Sequence, residues 1–148
     1  MKAKILRRAL NFWLPFLGSG ISIKHISDDY QDIQVEMKLR WYNKTSLKTH
    51  FGGGMYAMVD PFYLVMLLNI LGDQYVVWDK SAHIQFISPG LGTISARFQL
   101  SDEQIDEIRK VTDAGNTFLP VYDIDIVGEH GQRIASVKKQ LYIRKKKD

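Results

Sequence analysis

A chain of 148 residues with 45% hydrophobic and 24% charged side chains has the balance of one globular domain and is too apolar for a disordered one. It has no cysteine, which excludes disulfides, thiolate-bound metals and a thiol nucleophile. The four histidines, His25, His50, His83 and His130, lack ligand spacing, so no all-protein transition-metal site is expected. The net charge of +4 is concentrated at the ends: Lys2, Lys4, Arg7 and Arg8 open the chain, and six Lys or Arg fall within 138–148. Basic residues confined to the termini read as a solvated strand end plus a solubilising tail and argue against a nucleic-acid partner.

In chain order, residues 1–20 come first. Ile5, Leu6, Ala9, Leu10 and Trp13 recur every three to four residues, which predicts a short amphipathic helix docked on the domain. A helix lying on a membrane surface is the alternative. Asn11 and Pro15 interrupt the apolar run, so the segment does not read as a signal peptide. Two strands are expected at Ile21–Ser27 and Ile33–Arg40. In the second, Ile33, Val35, Met37 and Leu39 alternate with polar residues, the mark of one buried face.

A polar loop over Asn43–His50 leads into Phe51-Gly52-Gly53-Gly54 and then an apolar segment reaching Gly72. A helix with no polar side must be surrounded by protein. Pro61 should bend it near Ala57, or divide it into two shorter helices. The apolar stretch Phe62–Leu71 is far shorter than the ~20 residues needed to span a bilayer. No membrane insertion is expected, and a cytoplasmic location follows.

Strands are expected at Tyr75–Ser88 and Thr93–Leu100, separated by the turn SerProGlyLeuGly. Ser101 and Gln104 form a capping-box signature that opens a helix with Ile105, Ile108 and Val111 on one side. Gly115 stands where that helix should end. Val121–Val127 and Arg133–Arg144 flank a hairpin turn. Residues 1–148 thus read as a single α+β domain, with a helical segment at 1–20 and a basic tail at 144–148. Its antiparallel sheet wraps around a long central apolar helix.

The string Phe51-Gly52-Gly53-Gly54-Met55-Tyr56-Ala57-Met58-Val59-Asp60 resembles the HisGlyGly…Asp segment of hotdog-fold acyl-coenzyme A thioesterases of the phenylacetyl-CoA thioesterase type. A bacterial branch of hotdog proteins without a settled function carries the same GlyGly…TyrAlaMet…AspProPhe string. The resemblance implies a hotdog fold and hydrolysis of an acyl-CoA thioester without metal or redox cofactor. By position, Gly52 would donate its N–H to the oxyanion, Gly53 would support it, and Asp60 would be base or nucleophile. In that family the glycine and the acid facing one substrate come from opposite subunits, which implies a homodimer, with further pairing into a tetramer open.

Departures accompany the match. Phe51 replaces the family histidine, and His50 lies one residue earlier. Asn43 is the nearest counterpart of the family's loop asparagine, and Asp79 stands where a strand serine or threonine assists.

The chemistry is sound on general grounds. N–H groups at a helix start are fixed donors for a developing oxyanion, and a carboxylate can activate water or attack the carbonyl. Bland alternatives stand beside each assignment. Gly52–Gly54 is also a plain loop-to-helix turn, and Asp60-Pro61 is a common opening for a second helix. Trp78, Tyr56 and Phe62 read as core residues. Two other functions remain open: a hydratase or dehydratase using His50 and Asp60, and a non-catalytic acyl-binding protein.

Overall fold

The computed structural model describes residues 1–147. Two short helices open the chain, α1 (Ala3–Asn11) and α2 (Leu14–Ser19). Pro15 sits in the first turn of α2, where its missing N–H is harmless. Gly20 closes that helix at φ +76°, a left-handed conformation that glycine adopts without strain. Strands β1 (Ile21–Ile26) and β2 (Asp32–Lys38) follow, then α3 (Gly52–Ala57) and α4 (Phe62–Leu71). The rest comprises β3 (Tyr75–Phe86), β4 (Thr93–Gln99), α5 (Asp102–Asp113), β5 (Val121–Val127) and β6 (Arg133–Lys145).

All six strands form one antiparallel sheet in the order β1-β2-β4-β5-β6-β3. The alternation in β2 works as expected, with Ile33, Val35 and Met37 buried and the residues between them partly open. The capping box is formed, with Ser101 Oγ accepting from Gln104 N–H at 3.1 Å and Gln104 Oε1 accepting from Ser101 N–H at 2.9 Å. Ile105 and Ile108 of that helix are buried.

The central helix is divided in two. α3 ends at Ala57 and α4 starts at Phe62, because Pro61 lacks the N–H that would continue the ladder. By length and composition Gly52–Leu71 is apolar enough to cross a bilayer, but half of its apolar window is buried in the domain. Phe62, Met66 and Leu67 are fully enclosed, each worth roughly 2–3 kcal/mol by burial alone. A chain of rings fixes α4 to its neighbours: Phe16–Phe62 at 5.8 Å, Phe62–Phe98 at 4.9 Å and Tyr63–Tyr122 at 4.2 Å between centroids.

The structure corrects four expectations. The buried side of α1 is Ala3, with Leu6 and Leu10 packed against the core, while Ile5 and Trp13 point outward. Asn11 decides this orientation: its amide bonds both the N–H and the C=O of Ile23. Trp78 is 60% exposed, because the alternation that turns Tyr75 and Val77 of β3 inward puts it on the opposite, open face of the sheet. α4 is not enclosed on every side, since one sheet reaches only one face and leaves Leu68 exposed. Finally, the 138–148 segment is not simply a solvated tail. β6 continues to Lys145, Lys146 N–H donates to Gln74 O, and Lys139 is buried; Asp148 lies outside the described residues.

Candidate active site

The start of α3 has open donors. Phe51, its N-cap, makes no side-chain cap, and the first N–H groups of any helix have no intrahelical acceptor. Gly52 and Gly53 supply two of them without a side chain in the way. A Cβ on Gly52 would meet the Phe86 ring at 3.1 Å, and one on Gly53 would meet the Phe51 ring at 2.7 Å. Beside Gly52 lies a pocket of about 430 Å³ lined by His50, Met55, Phe86, Ile87 and Pro89 among others. That volume suits a small organic group.

His50 anchors this loop rather than facing solvent. It is 2% exposed, its Nε2 lies 2.7 Å from Gly92 O, and its backbone N–H donates to Gly90 O. The Nε2 contact with a carbonyl places the proton there, leaving Nδ1 as a buried acceptor without a partner. Burial lowers its pKa from the ordinary histidine value, against the pull of the Gly92 carbonyl. Because the unfolded chain then binds more protons below about pH 6.5, stability should fall as pH drops through that region. The thermal midpoint of the wild type should therefore drop more between neutral pH and pH 5 than that of His50→Gln, which cannot titrate.

Asn43 is spent on the scaffold. Its Oδ1 accepts from Arg40 N–H at 2.6 Å, and its Nδ2 donates to Lys38 O at 2.8 Å and Ser19 O at 3.0 Å. The amide ties α2 to the end of β2 and has no N–H donor left for a water or a thioester. It joins neither Gly52 nor Asp60.

Asp60 and Asp79 do come together, through a residue that the sequence reading passed over. Lys139 projects from the inward row of β6, between Val137 and Leu141, and is 2% exposed. Its Nζ donates to Asp60 Oδ1 at 2.6 Å and to Tyr56 Oη at 3.0 Å, and lies 3.3 Å from Asp79 Oδ1. Tyr56, one helical turn before Asp60, donates its hydroxyl to the same Oδ1 at 3.0 Å. Tyr56 is thus half-buried with a polar role, while Phe62 is the core residue expected.

Burial pushes the Asp79 carboxyl up, opposed by the Lys139 ammonium. Burial pulls Lys139 down, but its bonds to Asp60 and Tyr56 and the two carboxylate charges outweigh that and leave it above the ordinary lysine value. Every hydrogen bond and ion pair of the Asp60 carboxylate among the described residues is made by Oδ1. Its side chain is 45% exposed. The arrangement holds one oxygen still and leaves Oδ2 open to take a proton from water.

Gly52 opens α3, whereas Asp60 lies beyond its end in the turn before α4 and does not line the pocket beside Gly52. His50 and Asp60 share no partner. A histidine–acid pair within one chain is therefore not formed.

The chain has the hotdog fold of a Pseudomonas aeruginosa protein of unknown function described as a probable thioesterase, with a TM-score of 0.86, 14% identity, and 99% and 97% of the two chains covered. A thioesterase from Haemophilus influenzae matches with a TM-score of 0.69 at 16% identity, covering 98% and 92%. The PaaI protein of the E. coli phenylacetic acid degradation operon gives 0.65 at 16%, covering 94% and 90%. The chain belongs to the DUF4442 family, a domain of unknown function, whose model matches residues 2–143. No curated protein matches it by sequence.

Proposed function

We propose that this protein is a homodimeric acyl-CoA thioesterase in which the Gly52 N–H stabilises the oxyanion and Asp60 activates water. The observation that carries the reading is the uncapped glycine start of α3 opening beside a pocket of about 430 Å³. Asp60 completes it with one anchored and one open oxygen. Asp60 lies beyond the far end of α3, tied to Lys139, and is not among the residues lining the pocket beside Gly52, so the acid facing each pocket belongs to a second copy. The long edge strand β3, with Trp78 and Phe86 exposed, offers the unpaired backbone through which two copies can join. Lys44 and Lys48, near the pocket in sequence, are suited to the coenzyme A phosphates. No step needs a metal or redox cofactor.

Release of free thiol from short, long and aromatic acyl-CoAs tests this directly. Wild-type protein should turn over at least one class, and silence on the whole panel from a folded dimer sinks the reading. Gly52→Pro isolates the oxyanion donor. Phe51 already has φ −65° and ψ 129°, the conformation a residue before proline takes, and proline is accepted at a first helical position. The exposed Phe86 ring has room to shift from the new side chain. Turnover should fall by about 100-fold with the fold intact; unchanged turnover places the oxyanion elsewhere.

A further inference from the structure

The face formed by the α1–α2 elbow and the residues just after β2 is apolar at its tips and cationic around them. Phe12 and Leu14 are 76% and 77% exposed, and Trp41 is 82% exposed. Trp13, Leu17 and Tyr42 are also exposed. The two segments are neighbours, because Asn43 bonds Ser19 O and Lys38 O, and Leu17, Tyr42 and Arg40 line one hollow. Docking does not explain these side chains: α1 and α2 already bury Ala3 and Phe16 in the core.

The charges nearest the tips are cations, Arg8 in the last turn of α1 and Lys38 and Arg40 beside the hollow, while Lys4 and Arg7 lie further along α1, where they share a hollow with Asp28. Residues 1–20 carry Lys2, Lys4, Arg7 and Arg8, residues 38–42 carry Lys38 and Arg40, and neither segment has an Asp or Glu. None of these six cations forms an ion pair among the described residues. The acid lining the hollow, Glu36, is 3.7 Å from Lys24. We infer that this face is a docking surface for an anionic lipid bilayer, with Phe12, Trp13, Leu14 and Trp41 entering the interface and the cations meeting the headgroups.

The chemistry favours this occupant over the others. Trp and Tyr settle at the boundary between headgroups and acyl chains, and exposed aliphatic tips beside them add buried apolar area. Unpaired Lys and Arg near an anionic surface add attraction. A second copy docking through the same face would bring Arg8, Lys38 and Arg40 against the same three cations, which disfavours self-association. An acidic protein would answer the charge but not the protruding apolar tips. The face packs on β1, at the opposite end of the sheet from the β3 edge, so pairing through β3 leaves it free.

Flotation of the full chain with phosphatidylcholine vesicles, with and without phosphatidylglycerol, is the test. The protein should float with the anionic vesicles only, its tryptophan emission should shift to the blue, and high salt should release it. The triple variant Phe12→Ser, Leu14→Ser, Trp41→Ser, at the three most exposed tips, should lose about 10-fold in partitioning while keeping its secondary structure and melting temperature. Equal binding to both vesicle types, no binding, or an unimpaired triple variant each overturns the inference. So does a wild type that self-associates through this face, read as a larger particle by light scattering than the triple variant. So too does a salt-sensitive complex with an acidic protein in the absence of vesicle binding.

Discussion

Asp60→Asn should lower the rate of thioester hydrolysis by about 1000-fold, the middle of the range for removing a positioned general base, while leaving the fold and the oligomer in place. Asparagine has the shape of aspartate and retains one carbonyl oxygen. Lys139 and Tyr56 both donate to Oδ1, so the amide oxygen will turn toward them and the NH₂ group will take the place of Oδ2. That group cannot accept a proton from water. Asp79 remains 3.3 Å from Lys139, so the buried ammonium keeps one carboxylate. The loss should appear in kcat rather than KM, since the missing interaction forms at the reacting water and not with the bound acyl chain. Thiol release under single-turnover conditions, with melting temperature and size recorded for both proteins, decides it. Retained turnover in a folded variant would move the chemistry away from Asp60 and leave the glycine start of α3 without its acid.

Much of the fold was legible because local pattern and tertiary role coincide. Ile33, Val35 and Met37 alternate in sequence and are buried in the sheet. Ser101 and Gln104 write the start of α5, and Gly115 takes a positive φ just beyond its end. The misreadings occurred where two local readings were equally good. In α1 the apolar residues form two stripes. Only a bond from Asn11 to the backbone of β1 chooses the one that is buried. Trp78 looks like core by composition, but the alternation of β3 with Tyr75 and Val77 inward places it on the open face. Asn43 reads as available for chemistry in sequence, but Ser19 O of α2 and Lys38 O of β2 take its two N–H donors.

Lys139 is the instructive miss. Within Lys138-Lys139 it looked like part of a basic end, whereas counting by two from Val137 to Leu141 puts it in the buried row of β6. Period was the signal, and charge hid it. What no local pattern supplies is the partner, because Asp60 and Asp79 lie 79 and 60 residues away in sequence. A core lysine in a strand demands carboxylates from elsewhere. Asp60 and Asp79 come from the resemblance, by position in its motif and its strand. The geometry that joins them belongs to the tertiary structure.

Removing both carboxylates should therefore be far more damaging than removing either. In Asp60→Asn/Asp79→Asn, the Lys139 ammonium keeps hydrogen-bond acceptors but no opposite charge, and stability should fall by about 3–5 kcal/mol. Adding Lys139→Met to that pair should recover most of the loss, because an apolar chain of similar length suits the surrounding Val137, Leu141 and Tyr122. The pH dependence gives an independent check with opposite signs. In the wild type the folded pKa of Lys139 lies above its unfolded value, so its contribution is complete below about pH 10.5 and is lost as alkali passes the folded pKa. In the double variant burial is uncompensated and the folded pKa falls below the unfolded one. The unfolded chain then binds more protons, and stability rises as pH climbs toward 10. Urea denaturation at neutral pH and near pH 10 should show the double variant gaining on the wild type and the triple variant flat. A double variant as stable as the wild type at neutral pH would mean that Lys139 reaches water when its partners are gone. The cluster around Asp60 would then be an exposed ion pair rather than a fixed support for its open oxygen.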